Sequence, residues 1–72
     1  MSNFVKNLTK LMDSEKISLS NLHKSTGISK TQLGKYVAGY YEPSVSNLVK
    51  LCDFFNCSVN FMLGLTTDEN IK

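Results

Sequence analysis

Apolar positions recur along this chain at three- and four-residue spacing, and no segment alternates with the two-residue period of a strand. Phe4, Val5, Leu8, Leu11 and Met12 make one stripe, which predicts a first helix starting from a cap at Ser2 or Asn3. Ile17 follows as a buried connector. Ser18 then serves as cap for a second helix over about 19–26, with Leu19, Leu22, His23 and Thr26 sharing a face. Gly27 stops that helix, because glycine takes the left-handed conformation after a last turn without steric cost. Ile28 fills the space between two helices.

The next stretch, "SKTQLGKYVAG" (residues 29–39), separates into two faces at about 100° per residue. Ser29, Leu33, Tyr36 and Val37 fall on one side, and Lys30, Thr31, Gly34, Lys35 and Ala38 on the other. Ser29 and Gln32 have the spacing of a capping box, and Gly39 ends the helix. After the loop "YYEPS", Pro43 and Ser44 announce a fourth helix, whose inward stripe is Leu48, Leu51, Cys52 and Phe55. Asn56 suits the left-handed position at its end. Ser58 caps a short fifth helix bearing Val59, Met62 and Leu63, ended by Gly64. The expected architecture is all-α: one five-helix domain over residues 1–65, with a polar, frayed tail over 66–72.

Composition narrows the function. A chain of 72 residues allows one domain. The net charge is +2, yet residues 16–50 hold five lysines and one acid, so positive charge collects in the middle of the chain. Every cation is Lys, which removes the side chain best suited to a bidentate guanine contact. Without a membrane-length apolar run or a basic segment leading into an apolar one, the expected compartment is the cytosol and no membrane partner is expected. Cys52 and Cys57 are expected to be reduced core residues, since one His and two Cys do not supply a metal site. No nucleophile–base pair stands at readable spacing, so neither enzymatic activity nor a cofactor is expected.

"ISLSNLHKSTGISKTQLGKYVAG", from Ile17 to Gly39, reads as helix, tight glycine turn, helix, with the helix-turn-helix unit at about 18–38. Leu22, Ile28, Leu33 and Tyr36 would fill the wedge between the two helices. With Ser18 and Leu22, the turn "TGIS", Leu33 and Tyr36, Gly39, Pro43 and Ser44, and the closing "CSVNFMLG", residues from about Leu8 to Leu65 resemble the lambda-repressor-like, Cro-like (XRE family) DNA-binding domain. Such a resemblance implies a sequence-specific transcriptional regulator that lays its third helix in the major groove of an operator and binds as a homodimer. Carried over by position, Ser29, Lys30, Thr31 and Lys35 would face bases or flanking phosphates, with Gln32 at the edge. The starts of the second and third helices, at Ser18, Leu19 and Ser29, would offer N–H groups to phosphates. Dimer contacts in that family lie around the fourth and fifth helices, which makes Phe54, Phe61 and Leu65 the candidates.

Departures from the family pattern open a second reading. Leu19 stands where relatives carry a phosphate-binding Gln, and Tyr40 and Tyr41 where they often carry basic residues. His23 replaces the small residue expected where the third helix crosses, either reaching phosphate from the rim or holding a local hydrogen bond. Gly34 costs about 1 kcal/mol relative to Ala inside a helix and lets a partner backbone approach. Lys30, Thr31, Gly34, Lys35, Ala38, Tyr40 and Tyr41 could therefore form a surface for a partner repressor, as in an anti-repressor of a phage or prophage switch.

Overall fold

A computed structural model describes residues 3–65, all of its regular structure helical: α1 (Asn3–Glu15), α2 (Leu19–Thr26), α3 (Lys30–Ala38), α4 (Val45–Phe55) and α5 (Val59–Met62). The proposed Ser2 cap and the tail at 66–72 lie outside the described residues.

Serine starts α2, α3, α4 and α5. Ser18, Ser29, Ser44 and Ser58 all have extended backbone, and their hydroxyls accept from the N–H three residues on: Asn21 at 3.1 Å, Gln32 at 3.1 Å, Asn47 at 3.2 Å and Phe61 at 2.9 Å. Each bond satisfies one of the donors that a first turn leaves without a partner. At the opposite ends stand left-handed residues: Lys16, Gly27, Gly39, Asn56 and Gly64. Lys16 was not foreseen in this role. Its φ of 55° is one that an L side chain tolerates poorly. The backbone closes around it through Lys16 N–H to the Asp13 carbonyl (3.2 Å) and Ile17 N–H to the Met12 carbonyl (2.9 Å). Gly64 is needed twice over, because its φ is 81° and a Cβ there would sit 2.5 Å from the Asn3 Cβ.

The core is built as the apolar stripes direct. Phe4, Val5, Leu8 and Leu11 from α1 meet Leu22, Ile28, Leu33 and Tyr36 of the helix-turn-helix, and Leu48, Leu51, Cys52 and Phe55 from α4 close the other side. Helix α3 packs against both α2 and α1, while α5 lies against α1 and α4. Phe4 meets the Tyr36 ring edge-on at 5.8 Å between centroids, a favoured aromatic geometry. Cys52 and Cys57 are core residues, and the Cys52 thiol donates to the Ser58 carbonyl at 3.8 Å.

One assignment changes at the C-terminal end. Phe61, expected at a dimer surface, is 4% exposed inside the core, while Val59 is exposed. A one-turn helix offers too few residues for periodicity to reveal its inner face. Its orientation is set instead by α1: the Asn7 amide donates to the carbonyls of Phe61 (2.8 Å) and Met62 (3.3 Å). These two bonds hold the end of α5 against α1. Ile17 is half-buried rather than fully enclosed.

Candidate nucleic-acid interface

Helix α2, the turn at 27–29 and α3 make the helix-turn-helix. Leu22 and Leu33 are fully buried, and Tyr36 and Ile28 nearly so, so the wedge between the helices is filled as expected. Burying four large side chains along this seam stabilises the unit by about 1.5–3 kcal/mol each on transfer alone. With its inner face locked, the outer face of α3 stands clear. Ser29, Lys30, Thr31, Lys35 and Ala38 are exposed, and Gly34 is partly so with open space where a Cβ would be. At nine residues, α3 is about 13 Å long, and an α-helix about 10–12 Å across with its side chains fits a major groove about 12 Å wide.

The Ser29 hydroxyl oxygen is engaged by the cap bond from Gln32, but its O–H is still a donor for an outside acceptor. Ser18 is in the same position at the start of α2. Leu19 is half-buried against the core, so at that place only backbone N–H groups could meet a phosphate. Gln32 behaves differently from the capping-box expectation. Its backbone N–H completes the Ser29 cap, but its side-chain Oε1 faces the Asn47 amide at 3.5 Å instead of returning to Ser29. Asn47 Nδ2 also donates to the Tyr36 hydroxyl at 2.9 Å, which ties α4 to α3. Asn47 was missed in the sequence; its signal was a polar residue directly beside the Leu48 stripe.

The two tyrosines after α3 have separate roles. Tyr41 sets its ring edge-on against buried Tyr36 at 5.5 Å, extending the Phe4–Tyr36 stack to the surface. Tyr40 is 74% exposed, and the Lys35 ammonium lies 5.8 Å from its ring centroid. That distance is within cation–π range and holds the lysine beside the outer face. His23 takes the local hydrogen bond: its Nδ1 meets the Ile28 carbonyl at 2.7 Å.

Away from this face, Phe54 is half-buried with its ring edge-on to Phe55 at 4.9 Å. It also borders a shallow depression lined by Ser25, Thr26, Lys50 and Asp53. Leu65 is 72% exposed, so of the three dimer candidates Leu65 stands free, Phe54 does so in part, and Phe61 is withdrawn. Among the described residues, no three His, Cys, Asp or Glu side chains converge to hold a metal ion, and no helix is long and apolar enough to cross a membrane.

Fold and face together define a helix-turn-helix domain whose third helix carries lysine and hydroxyl groups outward. Sequence comparison gives the family: residues 7–68 match the Cro/C1-type HTH DNA-binding domain, and the chain belongs to that family. It is 32% identical over 69 residues to the uncharacterized HTH-type transcriptional regulator YobD of Bacillus subtilis (strain 168). The match takes in 96% of this chain and 62% of that relative's length. No solved structure matches the chain.

Proposed function

We propose that the chain is a sequence-specific transcriptional regulator of the Cro/repressor type, acting in the cytoplasm as a homodimer on a double-stranded operator. The observation that carries this is the outer face of α3, where Lys30, Thr31 and Lys35 are exposed on a helix anchored by Leu33 and Tyr36. Lys30 donates to guanine O6 or N7, the Thr31 methyl meets a thymine methyl, and Lys35 neutralises a flanking phosphate. Ser18, Ser29, Tyr40 and Tyr41 contribute hydroxyl or backbone donors to the sugar–phosphate strand, and Gln32 contacts the groove from its edge. Leu65 and the exposed part of Phe54 form the dimer contact.

The test is selection of bound fragments from a random DNA pool, followed by affinity measurement across salt concentrations. Lys35→Ala should weaken binding to the selected site about equally for all sequences and lower the salt slope by about one. Unchanged affinity for Lys35→Ala would remove the assignment of this face to DNA.

A second reading has the same face embrace a partner repressor. It is favoured by Gly34, whose missing side chain no neighbour within the domain requires, and by the exposed ring of Tyr40. Capture that persists after nuclease treatment and at moderate salt, and that Gly34→Arg blocks, would mark a protein partner.

A further inference from the structure

Three connections in this chain share one pattern: a left-handed residue, an apolar residue and a serine cap. They are Lys16-Ile17-Ser18, Gly27-Ile28-Ser29 and Asn56-Cys57-Ser58. In two of them the N–H of the apolar residue goes to a backbone carbonyl. Ile17 N–H donates to the Met12 carbonyl at 2.9 Å, and Cys57 N–H to the Cys52 carbonyl at 3.0 Å, the six-to-one bond of a Schellman motif.

The connection inside the helix-turn-helix is made differently. Gly27 N–H donates to the His23 carbonyl at 2.8 Å, and Ile28 is then taken over by side chains of α2. Its N–H donates to Thr26 Oγ1 at 3.2 Å, and its carbonyl accepts from His23 Nδ1 at 2.7 Å. Thr26 Oγ1 in turn donates to the Leu22 carbonyl at 2.7 Å, which anchors the clasp in the body of α2. Both polar backbone groups of Ile28 are therefore held, while its side chain is buried in the wedge.

We propose that His23 and Thr26 are positioning residues for DNA recognition: they hold Ile28 so that α3 leaves the turn at the angle its outer face needs in the groove. The proposal deepens the DNA-binding reading and rests on it. Ile28 directly precedes Ser29, the cap of α3, so a rotation of the Ile28 backbone swings the whole recognition helix. A 10° swing at the start of a helix about 13 Å long displaces its far end by about 2 Å. Hydrogen bonds to base edges tolerate only a few tenths of an ångström. A carbonyl oxygen only accepts, so the shared proton sits on Nδ1, and the neutral His23 ring is the Nδ1–H tautomer with its Nε2 as acceptor. An Asn side chain carries its amide nitrogen on the same atom of the branch as Nδ1; Gln carries it one bond farther.

The experiment combines nitrogen NMR of the His23 ring, residual dipolar couplings for the angle between α2 and α3, and affinity for DNA selected by the wild-type chain. All variants are compared at a temperature where circular dichroism shows them folded. The ring should be the Nδ1–H tautomer. His23→Gln and Thr26→Val should change the interhelical angle and lose about tenfold in affinity, the loss of one well-placed hydrogen bond. His23→Asn and Thr26→Ser should stay within about threefold of wild type, because they restore the donor and the hydroxyl. An Nε2–H tautomer, or an unchanged angle in His23→Gln, overturns the proposal. Should the wild-type chain select no DNA, the DNA reading falls, and the tautomer and the angle alone decide whether the clasp positions α3.

Discussion

The turn at 27–29 and the turn at 56–58 are built from the same three kinds of residue, yet they are held by different means. In the second, the N–H groups of Asn56 and Cys57 go to the backbone carbonyls of Asp53 and Cys52. Its apolar residue is a small cysteine, and the Cys52 thiol reaches the Ser58 carbonyl at 3.8 Å. In the first, a larger Ile28 is wedged between helices and its backbone is gripped by His23 and Thr26. An N–H held by a backbone carbonyl is open to many sequences; an N–H and carbonyl held by side chains depend on particular residues. The His23 and Thr26 bonds sit directly before α3, and the 56–58 turn sits before α5, which covers the core.

Ile28→Ala gives the largest expected separation of the two turns. It should destabilise the domain by about 2–4 kcal/mol through lost burial and a cavity. Cys57→Ala, removing far less volume, should cost well under half of that. Urea unfolding of both variants measures the difference, and equal losses would show that the two apolar plugs carry the same weight.

Next comes the clasp itself. Thr26→Val leaves the Ile28 N–H without its acceptor in a part-buried site and should cost about 1–3 kcal/mol in chemical denaturation. A side-chain substitution cannot leave the Cys57 N–H without its acceptor in the same way, since that N–H is bonded to a backbone carbonyl.

The shared serines should behave alike. Ser29→Ala and Ser58→Ala each remove one cap bond and should lower stability by about 1 kcal/mol. Only the former should also weaken DNA binding, which a paired gel-shift and thermal-melt measurement would reveal.

The smallest effects belong to the left-handed residues. Asn56→Gly and Lys16→Gly should be neutral or raise stability by up to about 1 kcal/mol, because a side chain at positive φ is mildly strained. Gly27→Ala should lower stability by about 1 kcal/mol through φ alone, because a Cβ there meets nothing within 4 Å. A gain on Gly27→Ala would contradict the strain argument directly. Thermal melts at matched salt resolve all three.

Helix placement was legible in the sequence because its determinants are local. A serine three residues ahead of a bonded N–H, a glycine or asparagine after the last turn, and an apolar stripe at helical spacing act within a few residues of each other. The outer face of α3 followed from the same periodicity, since Leu33 and Tyr36 can be buried only if Lys30, Thr31 and Lys35 face away.

What sequence left open needed contacts between elements distant along the chain. Gln32 belongs to a cap by spacing, but Asn47, fifteen residues on, takes its side chain. Phe61 has the look of a surface aromatic until Asn7, fifty-four residues earlier, holds its carbonyl and α5 turns it inward. Tyr40 and Tyr41 are neighbours in sequence, yet Tyr36 draws one onto the core and leaves the other beside Lys35. The sequence by itself determined the five helices and which side of the third faces out. Only the tertiary structure decided how the turn before that helix is held, because the Ile28 carbonyl and N–H are satisfied by side chains that meet them once the turn has closed.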